Sequence, residues 1–106
     1  MKLVVGGVHQ GKTAFAHTLS EHVCDDLHRL IREWMQSGED LQEQVSQIEK
    51  TYADGVITVA EVGCGLVPMD AFEREYRETV GRISCELAAQ AVEVYRITCG
   101  IAVRIK

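Results

Sequence analysis

A chain of 106 residues, 46% of them hydrophobic and 25% charged, has the composition of one folded domain and is too short for a second. A net charge of -5 and a pI near 5.3 exclude a general electrostatic attraction to nucleic acid or to an anionic membrane, although a local anion site is still open to it. The four cysteines, Cys24, Cys64, Cys85 and Cys99, form no CxxC pair and no apolar run approaches about 18 residues, so the expected setting is cytoplasmic, with reduced thiols and no membrane span.

The N-terminal run from Lys2 to Val5 is short, becomes β-branched and stops at Gly6-Gly7, the pattern of a buried parallel strand entering a glycine turn. A helical pattern follows from Lys12 to about His22, with Phe15 and Leu19 on one face. Asp25-Asp26 can open a second helix, whose apolar positions Leu27, Leu30, Ile31, Trp34 and Met35 recur at spacings of three and four until Ser37-Gly38 ends it. Trp34 and Met35 on that stripe suit a core or an oligomer contact. Asp40 with Glu43 resembles a capping box, and Leu41, Val45, Ile48 and Tyr52 continue a third stripe.

After the turn Asp54-Gly55, VITVAEVG (Val56 to Gly63) is apolar on both faces as far as Ala60, which predicts a second parallel strand covered on both sides. Beyond Pro68 and Asp70, the residues Phe72, Tyr76, Val80, Ile83 and Leu87 mark the longest amphipathic helix. The ending VEVYRITCGIAVRIK reads as a third parallel strand and a short antiparallel partner, parted by Cys99-Gly100. The order predicts an α/β domain spanning residues 1–106, with a small, mainly parallel sheet of three or four strands and an antiparallel strand at its C-terminal end. Ligands of such sheets bind beyond the carboxyl ends of the strands, where residues 6–13 and 61–67 form two glycine-rich loops.

The first loop, Gly6-Gly7-Val8-His9-Gln10-Gly11-Lys12-Thr13, satisfies GxxxxGK[ST] between a strand and a helix. Glycines in such a loop let backbone N–H groups turn toward a phosphate, Lys12 can reach its oxygens and Thr13 can hold Mg²⁺. A carboxylate on a neighbouring strand is usually required as well. Glu61, emerging from the apolar strand at the same edge, is preferred here to Asp25 or Asp26, before which no full strand is visible. Arg77 and Arg82 suit either phosphate contacts or helical ion pairs with Glu73 and Glu78. Cys64, between two glycines and without a histidine beside it, reads as a small core residue rather than a nucleophile. His17 and His22 read as exposed helix residues.

EVGCGLVP (Glu61 to Pro68), then Arg77, Gly81 and Arg82, and the ending GIAVRIK resemble the C-terminal part of the adenosylcobinamide kinase/adenosylcobinamide-phosphate guanylyltransferase family of cobalamin biosynthesis. GGVHQGKTAFA resembles the P-loop with which that family begins. The resemblance covers residues 1 to about 20 and 55 to 106. It implies a three-layer, RecA-like P-loop fold in a symmetric trimer. It also implies transfer of the γ-phosphate of ATP or GTP to the aminopropanol hydroxyl of adenosylcobinamide, with Mg²⁺ as cofactor. On the matching positions it implies nucleotide contacts at Gly6, Gly7, His9, Gln10, Gly11, Lys12, Thr13, Arg77 and Arg82, with Lys12 and Glu61 catalytic and Thr13 and Glu61 on the metal.

Family members carry a longer segment between these parts, with a second strand, a guanylylated histidine in a His/Arg-rich helix and a strand ending in an acidic residue. Here HVCDDLHRLIREWMQSG stands for all of it. His28, with Arg29, Arg32 and Trp34 near it, can answer to the His/Arg-rich helix; in the preferred correspondence Asp25 instead answers to the acidic residue, His28 becomes a helix-surface histidine and guanylyl transfer loses its nucleophile. His9 and Gln10 stand where the family more often has Arg and Ser, and Ser84-Cys85 replace an Asn-Gln pair. A nucleotide-binding regulatory or assembly protein is the alternative to an enzyme.

Overall fold

A computed structural model describes residues 1–62 and 70–106. In chain order the elements are β1 (Lys2–Gly6), α1 (Lys12–Leu19), β2 (Val23–Cys24), α2 (Leu27–Ser37), α3 (Leu41–Thr51), β3 (Val56–Ala60), α4 (Ala71–Gln90), β4 (Glu93–Thr98) and β5 (Ile101–Arg104). The strands form one five-stranded sheet in the order β2-β3-β1-β4-β5, parallel except for β5, which runs antiparallel to β4.

The mainly parallel sheet and its antiparallel C-terminal strand agree with the sequence pattern. The strand not read individually from the sequence is β2, whose Val23 and Cys24 pair with Val56 and Ile57 and bring the parallel strands to four beside the antiparallel β5. The first helix also departs from expectation, because it ends at Leu19. Ser20 there takes an extended backbone and its N–H caps Ala16 O. His22 consequently lies outside the helix, where it stacks on Tyr52 and bonds Thr51 O.

Side-chain alternation along the strands divides the core between two faces. Val4, Ile97 and Ala16 meet under α1, with Phe15, Leu19 and Tyr95 against them. On the other face Leu3, Ile57, Val59 and Val94 pack with Leu27 and Ile31 of α2, Val45 of α3, and Tyr76, Val80, Ile83 and Leu87 of α4. Trp34 and Met35 rest half-buried against that cluster. Every residue of β3 is buried, as befits a strand covered by helices on both sides.

Helix ends follow local chemistry. Asp40 and Asp70 each accept a hydrogen bond from the N–H three residues on, at Glu43 and Glu73, which satisfies one orphan donor of α3 and of α4. Gly38, with φ of 72°, closes α2 in the left-handed conformation that glycine adopts without strain. Asp26, at φ of 55°, precedes α2 in the left-handed conformation and without a side-chain cap.

Candidate functional site

β1 delivers Gly6 to the carboxyl edge of the sheet at the closest approach in the region. A Cβ on Gly6 would stand 2.6 Å from the carbonyl oxygen of Ile97, so only glycine allows β1 and β4 to meet there. The chain then wraps back on itself, with His9 at φ of 61° and Gly11 at 91°, and enters α1. Lys12, nearly fully buried, arches over the loop and donates from Nζ to Gly7 O at 2.8 Å. Gln10 ties the loop to the β4–β5 turn: its side-chain oxygen accepts from the Cys99 N–H and its carbonyl from the Gly100 N–H. Of the expected loop contacts, Gln10 therefore has its amide oxygen committed to the protein itself.

Thr13, at the start of α1, donates from Oγ1 to the Asp25 carboxylate, 2.9 Å from each oxygen. Asp25 follows directly on β2, and its Oδ1 also accepts from the Thr58 hydroxyl at 2.6 Å. Thr58 is wholly buried in the middle of β3 and in turn accepts the Asp26 N–H at 2.8 Å. The carboxylate beside Thr13 is thus Asp25, brought there by a strand of two residues. Glu61 leaves β3 on the opposite flank and forms a two-pronged pair with Arg96 of β4, its oxygens 3.1 Å from Nε and from the terminal nitrogen. The expected juxtaposition of Thr13 with Glu61 is replaced by Thr13 with Asp25.

His28 departs further from expectation. It is 8% exposed rather than a surface residue. Its Nδ1 accepts the Ala60 N–H at 3.1 Å. The reason lies in the sheet: β2 stops after pairing with Val56 and Ile57, so the far end of β3 has no strand neighbour on that side, and the imidazole takes the free backbone donor. Burial pushes the His28 pKa below its ordinary value, with nearby Lys12 and Arg29 acting in the same direction and Asp26 and Asp25 against it.

These residues surround a cavity of about 330 Å³ lined by the loop from Val8 to Ala14, by Asp26 and by His28 and Arg29 of α2. A second cavity of about 420 Å³ shares Val8, His28 and Arg29 with the first and extends to Arg32, Glu61, Tyr76 and Arg77. Glu73, one candidate partner of Arg77 on α4, is gripped by Arg32 through two bonds of 2.6 and 2.9 Å. Those bonds hold the Glu73 carboxyl below its usual range. The Arg32 guanidinium also lies over the Tyr76 ring at 4.2 Å.

Arg82 is elsewhere, lining a groove between α3 and α4 with Leu41, Val45 and Glu49, so the structure does not bring it to the loop. Cys24, buried behind Asp25, has its thiol pushed up to about 11 by burial and by the carboxylate, which leaves it protonated. Cys64 and the rest of the second glycine-rich loop, residues 63–69, lie outside the described residues.

A glycine-rich GxxxxGKT turn at the carboxyl edge of a mostly parallel, five-stranded sheet, with the Asp25 carboxylate just past the edge strand β2, is a mixed α/β arrangement consistent with the P-loop type. The sequence model of the family described as cobinamide kinase / cobinamide phosphate guanyltransferase (CobU) matches residues 19–105, and the chain belongs to this family. The bifunctional adenosylcobalamin biosynthesis protein CobU of Escherichia coli is 36% identical over 67 residues, which are 63% of this chain and 37% of that protein. The protein of the same name from Salmonella typhimurium is 35% identical over 68 residues, 64% of this chain and 38% of its own length. The matched part thus spans under two-fifths of these curated relatives. The family match starts at the last residue of α1, so the assignment of the glycine-rich loop stands on its motif and its geometry. Among the described residues no helix is long and apolar enough to cross a membrane.

Proposed function

We propose that this chain binds ATP or GTP at the glycine-rich loop and transfers the terminal phosphoryl group to the hydroxyl of adenosylcobinamide. The observation that carries the reading is the contact of Thr13 with Asp25 at the mouth of a cavity walled by Lys12 and the loop backbone. Phosphoryl transfer asks little covalent chemistry of a protein and much positioning and charge stabilisation. In this reading the loop amides and the N-terminus of α1 cradle the phosphates. Lys12 swings from Gly7 O onto their oxygens.

Thr13 and Asp25 offer a hydroxyl and a carboxylate, the oxygen donors that suit Mg²⁺. The ion would neutralise charge on the phosphate chain. Asp25 thereby takes the metal-orienting role that strand spacing suggested for Glu61. Glu61, at the rim of the second cavity, orients the acceptor hydroxyl from the other side, with Arg77 in the same cavity.

Guanylyl transfer through His28 is disfavoured by its hydrogen bond. It needs an imidazole nitrogen with a free lone pair, whereas His28 uses Nδ1 to accept from Ala60, which leaves its proton on Nε2. Incubation with γ-labelled ATP or GTP and adenosylcobinamide is expected to move label to the corrinoid, and Lys12→Ala to abolish both that transfer and most triphosphate affinity, on the order of 100-fold. Triphosphate binding without label transfer would sink the kinase reading. It would leave the second one, a nucleotide-binding regulatory or assembly protein.

A further inference from the structure

His28 stands on α2, outside the loop that carries the motif, yet it lines both cavities. Its orientation is determined at one end by the Ala60 N–H bonded to Nδ1. A neutral imidazole that accepts at Nδ1 must carry its proton on Nε2, so the far edge of the ring is a donor. Nε2 has no hydrogen-bond partner among the described residues, and no buried side-chain nitrogen or oxygen of theirs is left unsatisfied. Nε2 therefore belongs to the small part of the ring that is still accessible, and it opens on the space the ring lines. The result is a donor of defined direction, backed by a main-chain bond at the end of β3, at the seam between the two cavities.

We propose that His28 is a phosphate-contacting residue that discriminates by phosphate-chain length, its Nε2–H donating to an oxygen of the terminal phosphate of a bound nucleoside triphosphate. The proposal rests on the loop being a nucleotide site. Loop amides and the N-terminus of α1 envelop the inner phosphates, and the third must project away from that helix end toward the acceptor. The seam where Val8, His28 and Arg29 are common to both cavities adjoins the cavity that the loop residues line. Burial, aided by Lys12 and Arg29, outweighs Asp26 and Asp25 and favours the neutral ring, so it contributes a directed hydrogen bond rather than a mobile charge. Lys12 serves any phosphate in the loop, whereas a donor at the seam serves only a chain long enough to reach it.

The test compares binding of ADP and of the non-hydrolysable β,γ-imido analogue of ATP, each with Mg²⁺, by titration calorimetry on the full chain. His28→Asn is the informative variant. Its side-chain oxygen can still accept the Ala60 N–H, while the shorter side chain cannot reach the position of Nε2. The preference for triphosphate over diphosphate is expected to fall about tenfold or more, as loss of a hydrogen bond to a charged group predicts. A residue that merely supported the fold would lower both affinities together and leave the ratio alone, and an unaltered ratio overturns the proposal.

Should His28→Asn fail to fold, imidazole nitrogen NMR on the unaltered chain decides instead. The Nε2 resonance should move with the triphosphate analogue and much less with ADP, and equal or absent shifts overturn the inference. If the unaltered chain binds neither nucleotide, the loop assignment falls and this inference with it. If it binds and the ratio survives in His28→Asn, only the inference falls.

Discussion

Asp25 and Glu61 both stand where a strand of the sheet ends, and their surroundings differ in kind. Asp25 is held by neutral donors, the hydroxyls of Thr13 and Thr58, the second wholly buried, so its charge is fixed in place without being cancelled. Glu61 is held by the Arg96 guanidinium at the rim, with that arginine side chain 54% exposed, so its charge is already matched. A carboxylate waiting for a cation needs the first arrangement. The second is an ordinary surface pair at the end of β3.

The largest way to sharpen that contrast is to neutralise each carboxylate in turn. Asp25→Asn is expected to cost on the order of 100-fold in Mg²⁺-dependent triphosphate affinity, because the site then offers no anionic oxygen beside Thr13. Glu61→Gln should act on the transfer rate while nucleotide affinity moves by less than about threefold. Calorimetry with and without Mg²⁺ checks the first, and label transfer under saturating nucleotide the second. Reversal of the two patterns would return the metal-orienting role to Glu61.

Thr58 is the support beneath Asp25. Its hydroxyl serves two bonds at once, donating to Asp25 and accepting from the Asp26 N–H. Thr58→Val fills the same space, leaves no cavity and strips both bonds. A loss of about 2 kcal/mol in denaturant-induced unfolding is expected, with a matching loss of Mg²⁺ dependence. Stability within about 0.5 kcal/mol of the parent would mean that water replaces the hydroxyl and that Asp25 is less fixed than its contacts imply.

The two carboxylates also mark how far the sequence could be read. β3 is four β-branched residues and an alanine in a row behind the turn Asp54-Gly55, a composition that favours a strand over a buried helix segment, so Glu61 after it was conspicuous. β2 is two residues, below the length at which any periodicity exists, and Asp25 looked like part of a loop. Pairing with β3 created that strand, and pairing is a tertiary event. The stop of α1 at Leu19 was hidden because Ser20, Glu21 and His22 include neither glycine nor proline. His28, by contrast, had left a signal: it stands three residues before buried Ile31, on the flank of the apolar stripe of α2. Nothing in the sequence foretold that the ring would complete the unpaired end of β3. The fold class and the glycine loop were legible because each is a local pattern with a local cause.

His28 supplies a pH test that separates its neighbourhood from the rim. Its folded pKa lies below the ordinary 6.5, chiefly from burial. The unfolded chain therefore takes up the proton first. The stability associated with neutral His28 is fully present above 6.5 and is lost as pH falls through the lower folded value. Thermal unfolding followed from pH 7.5 downward should show a decline that begins near that ordinary value and is weaker in His28→Asn. An identical decline in the variant would assign it to carboxylates elsewhere.

The smallest effect expected is at the rim, and it is informative because it should be small. Arg96 reaches Glu61 with good two-pronged geometry, and such geometry often invites a large stabilising role. Yet a long side chain must be ordered to make the pair, water screens much of the attraction, and neither charge is left buried when its partner goes. Arg96→Ala should therefore change unfolding free energy by no more than about 0.5 kcal/mol. It should nonetheless leave Glu61 less restrained at the edge of the second cavity, and the apparent KM for the acceptor should rise before that for the nucleotide does. A destabilisation several times larger would show that the pair supports the exit of β3, where the Glu61 N–H meets Gly6 O, and that rim and metal side are one mechanical unit.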